Sequence, residues 1–274
     1  MAGTPAREAL DSAVVALTAA GVDTPRLDAE VLLAHALGTD RLTLLADRDA
    51  RVEGQAVRAF QDAVRRRSVQ REPVAYITGV KGFRHLELHV DPRVLVPRPE
   101  TETLVEAAIE RLAQGARVVD VGTGSGAIAL ALKDERPDLD VVATDVSDDA
   151  LDVARANAAR LGLEVRFARG DLLEGAGEVD AVVSNPPYVE DGALLAPEIV
   201  RHEPALALRA GPGGLDVLRR LVPAAAAGGA SLLAVEHGLG QAEGVEALAR
   251  EAGFVHAERR ADLAGIDRVM VAWR

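Results

Sequence analysis

Asn185, Pro186, Pro187 and Tyr188 are the residues of this chain with the clearest capacity for chemistry. They follow an apolar run over 179–183 that is typical of a buried strand. The two prolines prevent further strand pairing, and Pro186 holds Asn185 outside the α region, so the Pro186 carbonyl points in a fixed direction. The Asn185 side chain adds a second acceptor oxygen, and Tyr188 supplies a flat aromatic face.

This group of residues predicts a site for a planar –NH2 group. Two acceptors, the Asn185 side-chain oxygen and the Pro186 carbonyl, can take its two hydrogens, while the aromatic ring covers its face. The alternative is a proline-rich turn that merely ends a strand. The glycine-rich segment described next favours the binding site over the turn.

A loop of alternating glycines lies between a predicted strand over 117–121 and a predicted helix over 125–136. Alternate glycines allow a tight turn and a close approach by a ligand, and the helix N-terminus is electropositive. The spacing matches neither the dinucleotide fingerprint nor the Walker loop. Asp145, about 20 positions further on, suits bidentate binding of ribose hydroxyls. The loop residues are Gly122, Thr123, Gly124, Ser125 and Gly126.

Asp171 and Leu172 follow the third predicted strand. Asp171 could accept a hydrogen bond from the exocyclic amine of adenine, and Leu172 could pack on the ring; the alternative for Asp171 is a turn or cap residue. A ligand with adenosine and no phosphate, beside a clamp for an amide, indicates S-adenosylmethionine and N-methylation.

The elements that must position these residues alternate from Arg117 onward. Predicted strands cover 117–121, 140–145, 164–168, 179–184, 230–236, 254–260 and 267–273. Helical patterns cover 125–136, 147–161, 213–227 and 239–252. This alternation predicts an α/β fold, a seven-stranded, mostly parallel, doubly wound sheet with helices on both faces. Ligands bind outside the carboxyl ends of such strands, where each of the motifs above lies.

The rest of the chain predicts two further parts. Residues 1–70 predict a small helical bundle, with helices over 6–20, 24–38, 42–46 and 53–69, no convincing strand and a possible role in substrate docking. Residues 71–99 predict a β-hairpin linker that ends in a stiff, proline-containing entry to a helix beginning near Thr101. The catalytic domain is expected over 100–274.

Composition excludes several classes of protein. The net charge of −12 argues against binding to nucleic acid, whose phosphates would be repelled. The chain has no cysteine, so disulfides and thiolate sites are absent, and its six histidines match no metal-site spacing. With no predicted membrane span or signal peptide, we expect a cytoplasmic protein.

Several motifs, in order from residue 72 to the end, resemble the release factor glutamine methyltransferase (HemK/PrmC) family of class I methyltransferases. They are Glu72–Gly79, Pro97–Glu102, Asp120–Gly126, Asn185–Tyr188, Glu203–Pro204, Gly213–Asp216, Glu236–Gly238, Asp262–Leu263, Gly265 and Asp267–Arg268. That family uses S-adenosylmethionine to methylate the side-chain amide of the glutamine in the Gly-Gly-Gln loop of peptide chain release factors. Two departures are mild: Ser125 stands where threonine is common, and Leu172 where an aromatic residue often lies.

The resemblance implies a role for each candidate residue. The cofactor would contact Gly122 to Gly126, Asp145, Asp171, Leu172 and Asn185. The substrate would be held by Asn185, Pro186, Pro187 and Tyr188, with Arg98 and Glu100 beside them, and Asn185, Pro186 and Tyr188 would be catalytic. We expect a monomer that acts on release factors, with no metal, nucleic acid or membrane as partner.

Three alternatives stay open at this point. Asn-Pro-Pro-Tyr also occurs in DNA adenine-N6 methyltransferases, although those need a basic surface. A relative that methylates a glutamine of a ribosomal protein would share these motifs. A module that binds the cofactor or a partner without catalysis is the third, and the intact Asn185–Tyr188 segment argues against it.

Overall fold

The computed structural model describes residues 3–47 and 49–274. Its strands are β1 (Thr4–Pro5), β2 (Arg51–Val52), β3 (Val80–Phe83), β4 (Leu86–His89), β5 (Arg117–Val121), β6 (Asp140–Asp145), β7 (Arg166–Arg169), β8 (Ala181–Ser184), β9 (Leu232–Glu236), β10 (His256–Ala261) and β11 (Asp267–Trp273). Its helices are α1 (Ala6–Ala19), α2 (Pro25–Leu37), α3 (Arg41–Ala46), α4 (Gly54–Arg65), α5 (Val74–Thr78), α6 (Pro99–Ile109), α7 (Ala127–Glu135), α8 (Asp148–Leu161), α9 (Pro197–His202), α10 (Asp216–Ala227) and α11 (Ala242–Glu251).

The chain forms two compact units. The helical unit comprises the chain through Gly79 together with Leu195–His202. The catalytic unit comprises Val80–Leu194 and Glu203–Arg274. Among the residues that the structure describes, no helix is long and apolar enough to cross a membrane.

The helical unit packs the apolar faces of its helices into one core. Leu10 and Leu17 of α1 meet Leu32 and Leu33 of α2 and Phe60 of α4, and all five side chains are buried. The predicted helices are present, with Gly38 ending α2 in the left-handed conformation. The prediction of no strand here was wrong, because β1 pairs with β2 over two residues each, too short a span to show alternation.

A buried ion-pair cluster also holds the helical unit together. The Arg67 guanidinium lies 2.7 Å from Asp28 and 3.2 Å from Glu198, and Arg71 lies 2.8 Å from Glu198. Arg67 and Arg71 are brought to this position by a π-helical turn, Arg66–Gln70, that continues α4. Glu198 comes from α9, so this distant segment of the sequence belongs to the helical unit.

The hairpin predicted over 71–99 is confined to β3 and β4, which pair antiparallel. Residues 74–78 form helix α5 instead, with Gly79 in the left-handed conformation at its end. Ala75, Tyr76 and Ile77 are buried in succession, and three consecutive buried residues do not fit a strand with one solvated face. Helix α6 begins at Pro99, at the end of the proline-containing entry.

The catalytic unit contains a seven-stranded sheet in the order β10-β11-β9-β8-β5-β6-β7. Strand β11 runs opposite to the other six strands of this sheet, so the predicted seven-stranded, mostly parallel sheet is confirmed. Alternate strand residues face two cores. Val118 and Val183 pack with α6 and α7, whereas Val119 and Val182 pack with α10 and α11.

Candidate active site

The candidate site lies at the edge where the parallel strands end, which we call the carboxyl edge. Strands β9, β8, β5 and β6 are consecutive in the sheet, so the segments that follow them are neighbours. The buried Ser184 hydroxyl, at the end of β8, donates to the Val121 carbonyl at the end of β5, at 2.7 Å. This bond ties the start of the Asn-Pro-Pro-Tyr segment to the start of the glycine loop.

The glycine loop after β5 is held by its neighbour β6. The N–H groups of Gly122 and Thr123 both donate to the Thr144 carbonyl, at 2.9 and 3.0 Å. Gly122, Gly124 and Gly126 all have positive φ, at 73°, 55° and 86°, a conformation that disfavours a side chain. At Gly126 an added Cβ would also lie 3.0 Å from the Leu130 side chain. The loop therefore depends on glycine for its shape and for its packing on α7.

Asp145 lies at the end of β6 and faces this loop. One carboxylate oxygen accepts the Gly124 N–H at 3.0 Å, and the other accepts the Ser147 N–H at 2.9 Å. A carboxylate has about four acceptor positions, so two remain for a ligand. The two backbone donors fix the Asp145 side chain at the position from which the sequence predicts that it binds ribose.

Asp120 lies beneath the glycine loop and is completely buried. One of its carboxylate oxygens accepts the Thr123 hydroxyl at 2.7 Å and the Ala129 N–H at 3.1 Å. The other oxygen has no hydrogen-bond partner among the residues that the structure describes. Burial, with a contribution from the negative charge of Asp145, raises the pKa of Asp120 to about 7.

Asp171 and Leu172 lie beyond β7, which pairs with β6 on the side away from β5 and its glycine loop. The Asp171 carboxylate accepts from Arg220 of α10. Leu172 has a positive φ of 55°, its carbonyl accepts the Thr144 hydroxyl at 2.7 Å, and its side chain packs against the core beside α10. A role for either residue in binding adenine stays a prediction.

Asn185 is half-buried just after β8. Its side-chain nitrogen donates to the Thr101 hydroxyl oxygen at 2.9 Å. Within residues 3–47 and 49–274, no donor contacts the Asn185 side-chain oxygen or the Pro186 carbonyl oxygen. The two acceptors that the sequence predicts are therefore both available to a ligand.

Tyr188 is fixed at both its ring and its backbone. The hydroxyl donates to Glu236 at 3.0 Å, and the backbone carbonyl accepts the Gln241 side-chain amide at 2.9 Å. Burial and the nearby Glu236 charge raise the pKa of Tyr188, so the hydroxyl stays protonated at neutral pH. Gly214 passes so close that an added Cβ would lie 2.3 Å from the Tyr188 carbonyl oxygen.

Arg98 and Glu100 occupy the entry to α6. The Arg98 guanidinium forms an ion pair of 2.6 Å with Glu203, whose other oxygen accepts the Val96 N–H at 3.2 Å. Glu100 is half-buried in the first turn of α6. Contact of either residue with substrate stays a prediction. In the described ranges, no group of three His, Asp or Glu side chains could hold a metal ion.

Thr101 and Glu236 are two residues of this site to which sequence analysis assigned no role. Thr101 contacts Asn185, and Glu236, at the end of β9, contacts both Thr101 and Tyr188. Both lie in motifs that carry the family resemblance, Pro97–Glu102 and Glu236–Gly238. Their presence in these motifs could have indicated that both residues matter. Nothing in the local sequence, however, indicates that the two segments are in contact.

Comparison with known proteins accounts for most of the chain. Residues 8–79 match the family model of the PrmC N-terminal domain, and residues 99–213 match that of the Methyltransferase small domain. The release factor glutamine methyltransferase of Mycolicibacterium smegmatis is 44% identical over 278 residues, covering 98% of this chain and 97% of the relative. That of Deinococcus radiodurans is 45% identical over 277 residues and covers 98% of each chain.

Solved structures show the same fold at low sequence identity. The hMettl16 catalytic domain in complex with MAT2A 3'UTR hairpin 6 has a TM-score of 0.54 and 17% identity, covering 84% of this chain and 85% of that one. A methyltransferase from Pyrococcus furiosus has a TM-score of 0.52 and 18% identity, covering 69% and 88%. The predicted methyltransferase fold and enzyme class are confirmed, and the chain belongs to the release factor glutamine methyltransferase family.

Proposed function

We propose that this protein transfers a methyl group from S-adenosylmethionine to the side-chain amide nitrogen of the glutamine in the Gly-Gly-Gln loop of peptide chain release factors. One observation carries the proposal. The Asn185 amide is turned so that its nitrogen faces Thr101, which leaves its oxygen and the carbonyl of the next residue, Pro186, as two acceptors with no donor among the described residues. A primary amide has two N–H hydrogens to match them.

The residues on the other side of the site fit the methyl donor. S-adenosylmethionine supplies a methyl group carried on a positively charged sulfur when it is bound. Gly122 and Gly124 have open space where a side chain would lie, which suits a ligand close to the backbone. Asp145 retains acceptor positions for ribose hydroxyls beyond the two backbone N–H groups that it accepts.

The chain's own residues make the amide reactive. An amide nitrogen is a poor nucleophile because its lone pair is delocalised into the carbonyl. Accepting both hydrogens, at Asn185 and Pro186, moves electron density toward nitrogen and orients the lone pair. Tyr188, held by Glu236, covers the plane of the amide and excludes water from it. Because these groups are already fixed, little reorganisation is needed as charge develops.

The partner class follows from the same features. We propose that a monomer acts on a protein, with no nucleic acid or membrane involved, and that the net charge of −12 disfavours the DNA adenine alternative. The helical unit, which carries none of these site residues, docks the release factor. The candidate cofactor and substrate residues keep the roles assigned from sequence, including Asp171, Leu172, Arg98 and Glu100.

Mass spectrometry of release factors after incubation with labelled S-adenosylmethionine tests the proposal. We expect one methyl group on the glutamine of the Gly-Gly-Gln loop, and none after a glutamine→glutamate change in that loop, because a carboxylate has no hydrogens to donate. Ribosomal proteins and duplex DNA are assayed in parallel. Labelling of either one in preference to the release factor would replace the proposed substrate.

A further inference from the structure

A chain of hydrogen bonds connects Asn185 to a buried carboxylate. The Asn185 side-chain nitrogen donates to the Thr101 hydroxyl oxygen at 2.9 Å, and the Thr101 hydroxyl donates to one Glu236 oxygen at 2.6 Å. The other Glu236 oxygen accepts the Tyr188 hydroxyl at 3.0 Å. One carboxylate therefore holds both polar residues of the substrate site.

Burial raises the pKa of Glu236, so Glu236 is ionised only above that raised pKa. In the ionised state the hydrogen bonds of this chain can run in only one direction. An ionised carboxylate only accepts, so the single Thr101 hydroxyl proton must point at Glu236. The Thr101 oxygen can then only accept, so Asn185 must present its NH2 group to Thr101. The opposite end of the Asn185 amide, the oxygen, is consequently the one left for a ligand. The oxygen and NH2 ends of an asparagine amide are almost the same in shape, so shape alone would not select this orientation.

We propose that Glu236 and Thr101 are positioning residues that fix the amide orientation of Asn185 and the ring position of Tyr188. This inference rests on the proposed function and deepens it, because it explains why the site takes a group with two N–H hydrogens. An Asn185 amide turned the other way would present NH2 to the substrate amide, and two donors would face each other.

The location of Glu236 supports this role. Its side chain is completely buried at the end of β9, a central strand paired on both sides, and Thr101 is buried in the first turn of α6. Within the described ranges, the hydrogen-bond donors to the Glu236 carboxylate are the hydroxyls of Thr101 and Tyr188, with no arginine or lysine in contact. Arg268 is near enough to lower the pKa of Glu236 but forms no ion pair with it. A buried carboxylate with no cation in contact is costly to keep, and a purely structural role would not require one.

The experiment compares Thr101→Val, which removes the hydroxyl, with Thr101→Ser, which keeps it. The chain contains two asparagines, so selective 15N labelling of asparagine side chains gives two amide signals. Asn157 is the internal control, because its side-chain amide donates to the His89 and Ser125 carbonyls, at 2.9 Å each. Hydrogen exchange of each amide is measured together with single-turnover methylation of a release factor.

We expect Thr101→Val to speed exchange of the Asn185 amide by about tenfold or more and to lower the methylation rate by about ten- to a hundredfold. The Asn157 amide should exchange as in the parent, which shows that the fold is intact. The affinity for S-adenosylmethionine should fall less than the methylation rate, because the glycine loop and Asp145 are unchanged. Thr101→Ser should keep both the exchange rate and the methylation rate within about threefold of the parent.

Glu236→Gln is the second variant, for the case that Thr101→Val fails to fold. Glutamine places an NH2 group where one of the two carboxylate oxygens lies, so either Thr101 or Tyr188 loses its acceptor and must turn its hydroxyl. Methylation should therefore slow more than cofactor affinity falls. An active parent together with parental rates in Thr101→Val or Glu236→Gln would overturn the inference. A parent that methylates no release factor would instead contradict the proposed function.

Discussion

The helical unit and the carboxyl edge of the catalytic unit bury carboxylates in opposite ways. In the helical unit partly buried Glu198 is paired with Arg67 and Arg71. Burial raises the pKa of Glu198, but its own backbone N–H and the two arginines outweigh burial, and the net effect lowers the pKa. At the carboxyl edge Asp120 and Glu236 meet only hydroxyl and backbone donors among the described residues, and burial raises the pKa of both.

The two kinds of carboxylate differ in what the fold leaves for a ligand. A buried carboxylate that an arginine compensates is fully satisfied by the fold itself. A buried carboxylate with neutral partners keeps unused acceptor capacity and a perturbed pKa, which are common features of functional sites. We therefore expect ligands to bind near the uncompensated carboxylates rather than near the more numerous ion pairs.

The comparison also predicts opposite responses to pH. Glu198 has a folded pKa below its ordinary value, so its contribution to stability is complete at neutral pH and is lost as the pH falls through the acid range. Asp120 has a folded pKa of about 7, above its ordinary value. Its contribution is complete at low pH and is lost as the pH rises toward 7.

The largest expected effect is loss of the ion-pair cluster. Arg67→Met should lower the free energy of unfolding of the helical unit by about 3–5 kcal/mol, because Asp28 loses its buried cation and Glu198 loses one of two. Urea unfolding followed by hydrogen exchange of peptides from residues 6–70 measures this. Arg65→Gln is the matched control. Arg65 pairs with Asp62 in solvent, and its loss should cost less than about 1 kcal/mol.

The same pair of variants tests the docking role proposed for the helical unit. Arg67→Met should slow methylation of an intact release factor more than methylation of a short Gly-Gly-Gln peptide, while Arg65→Gln should affect neither. Cofactor binding, which we assign to the catalytic unit, should be unchanged in both variants. Equal slowing of the two substrates by Arg67→Met would remove the docking role.

Removal of the Asn185 side chain should have the next largest effect. Asn185→Ala removes one preorganised acceptor, which typically costs about 10²–10³ in rate. Asn185→Asp keeps an acceptor and should retain more activity than the alanine variant. The measurement is single-turnover methylation of a Gly-Gly-Gln-containing release factor. A rate for Asn185→Ala within a fewfold of the parent would mean that Asn-Pro-Pro-Tyr is only a turn.

A smaller effect is expected at Asp145, on the cofactor side. Asp145→Ala should raise the dissociation constant for S-adenosylmethionine by about ten- to a hundredfold, since hydrogen bonds to a charged group contribute about 1.5–3 kcal/mol. Calorimetry measures the constant, and NAD should show no binding. The control is Asp148→Ala, at an exposed position three residues further along the chain. This variant should bind S-adenosylmethionine as the parent does. An unchanged constant in Asp145→Ala would place the ribose contact elsewhere.

The smallest expected effect is a change, caused by Asp120, in how the free energy of unfolding depends on pH. Between about pH 5 and pH 6 the folded protein holds a proton on Asp120 that the unfolded chain has lost. The free energy of unfolding should therefore fall by about 1.4 kcal/mol per pH unit from this group. Denaturant unfolding at several pH values measures this dependence. Asp120→Asn should remove it, whereas Asp149→Asn, at an exposed position, should not. Identical slopes in the parent and Asp120→Asn would show that Asp120 is ionised throughout.

The amino-acid sequence by itself determined the features that depend on neighbouring residues. The seven strands of the sheet, the glycine loop, Asp145 at a strand end and the Asn185–Tyr188 segment were all predictable, because periodicity, glycine spacing and consecutive prolines act over a few residues. Because parallel strands all end at the same edge of a sheet, the loops that follow them were expected to lie together, where ligands of such sheets bind.

Tertiary structure alone decided which distant residues meet. Thr101 and Glu236 are 135 positions apart, one on a helix and the other at the end of a strand. Their contact nevertheless sets the orientation of Asn185. Glu198 joins Arg67 from 131 positions away, which assigns α9 to the helical unit. The physical reason is that burial and hydrogen-bond polarity belong to the three-dimensional neighbourhood of a side chain, and residue spacing along the chain carries no record of that neighbourhood.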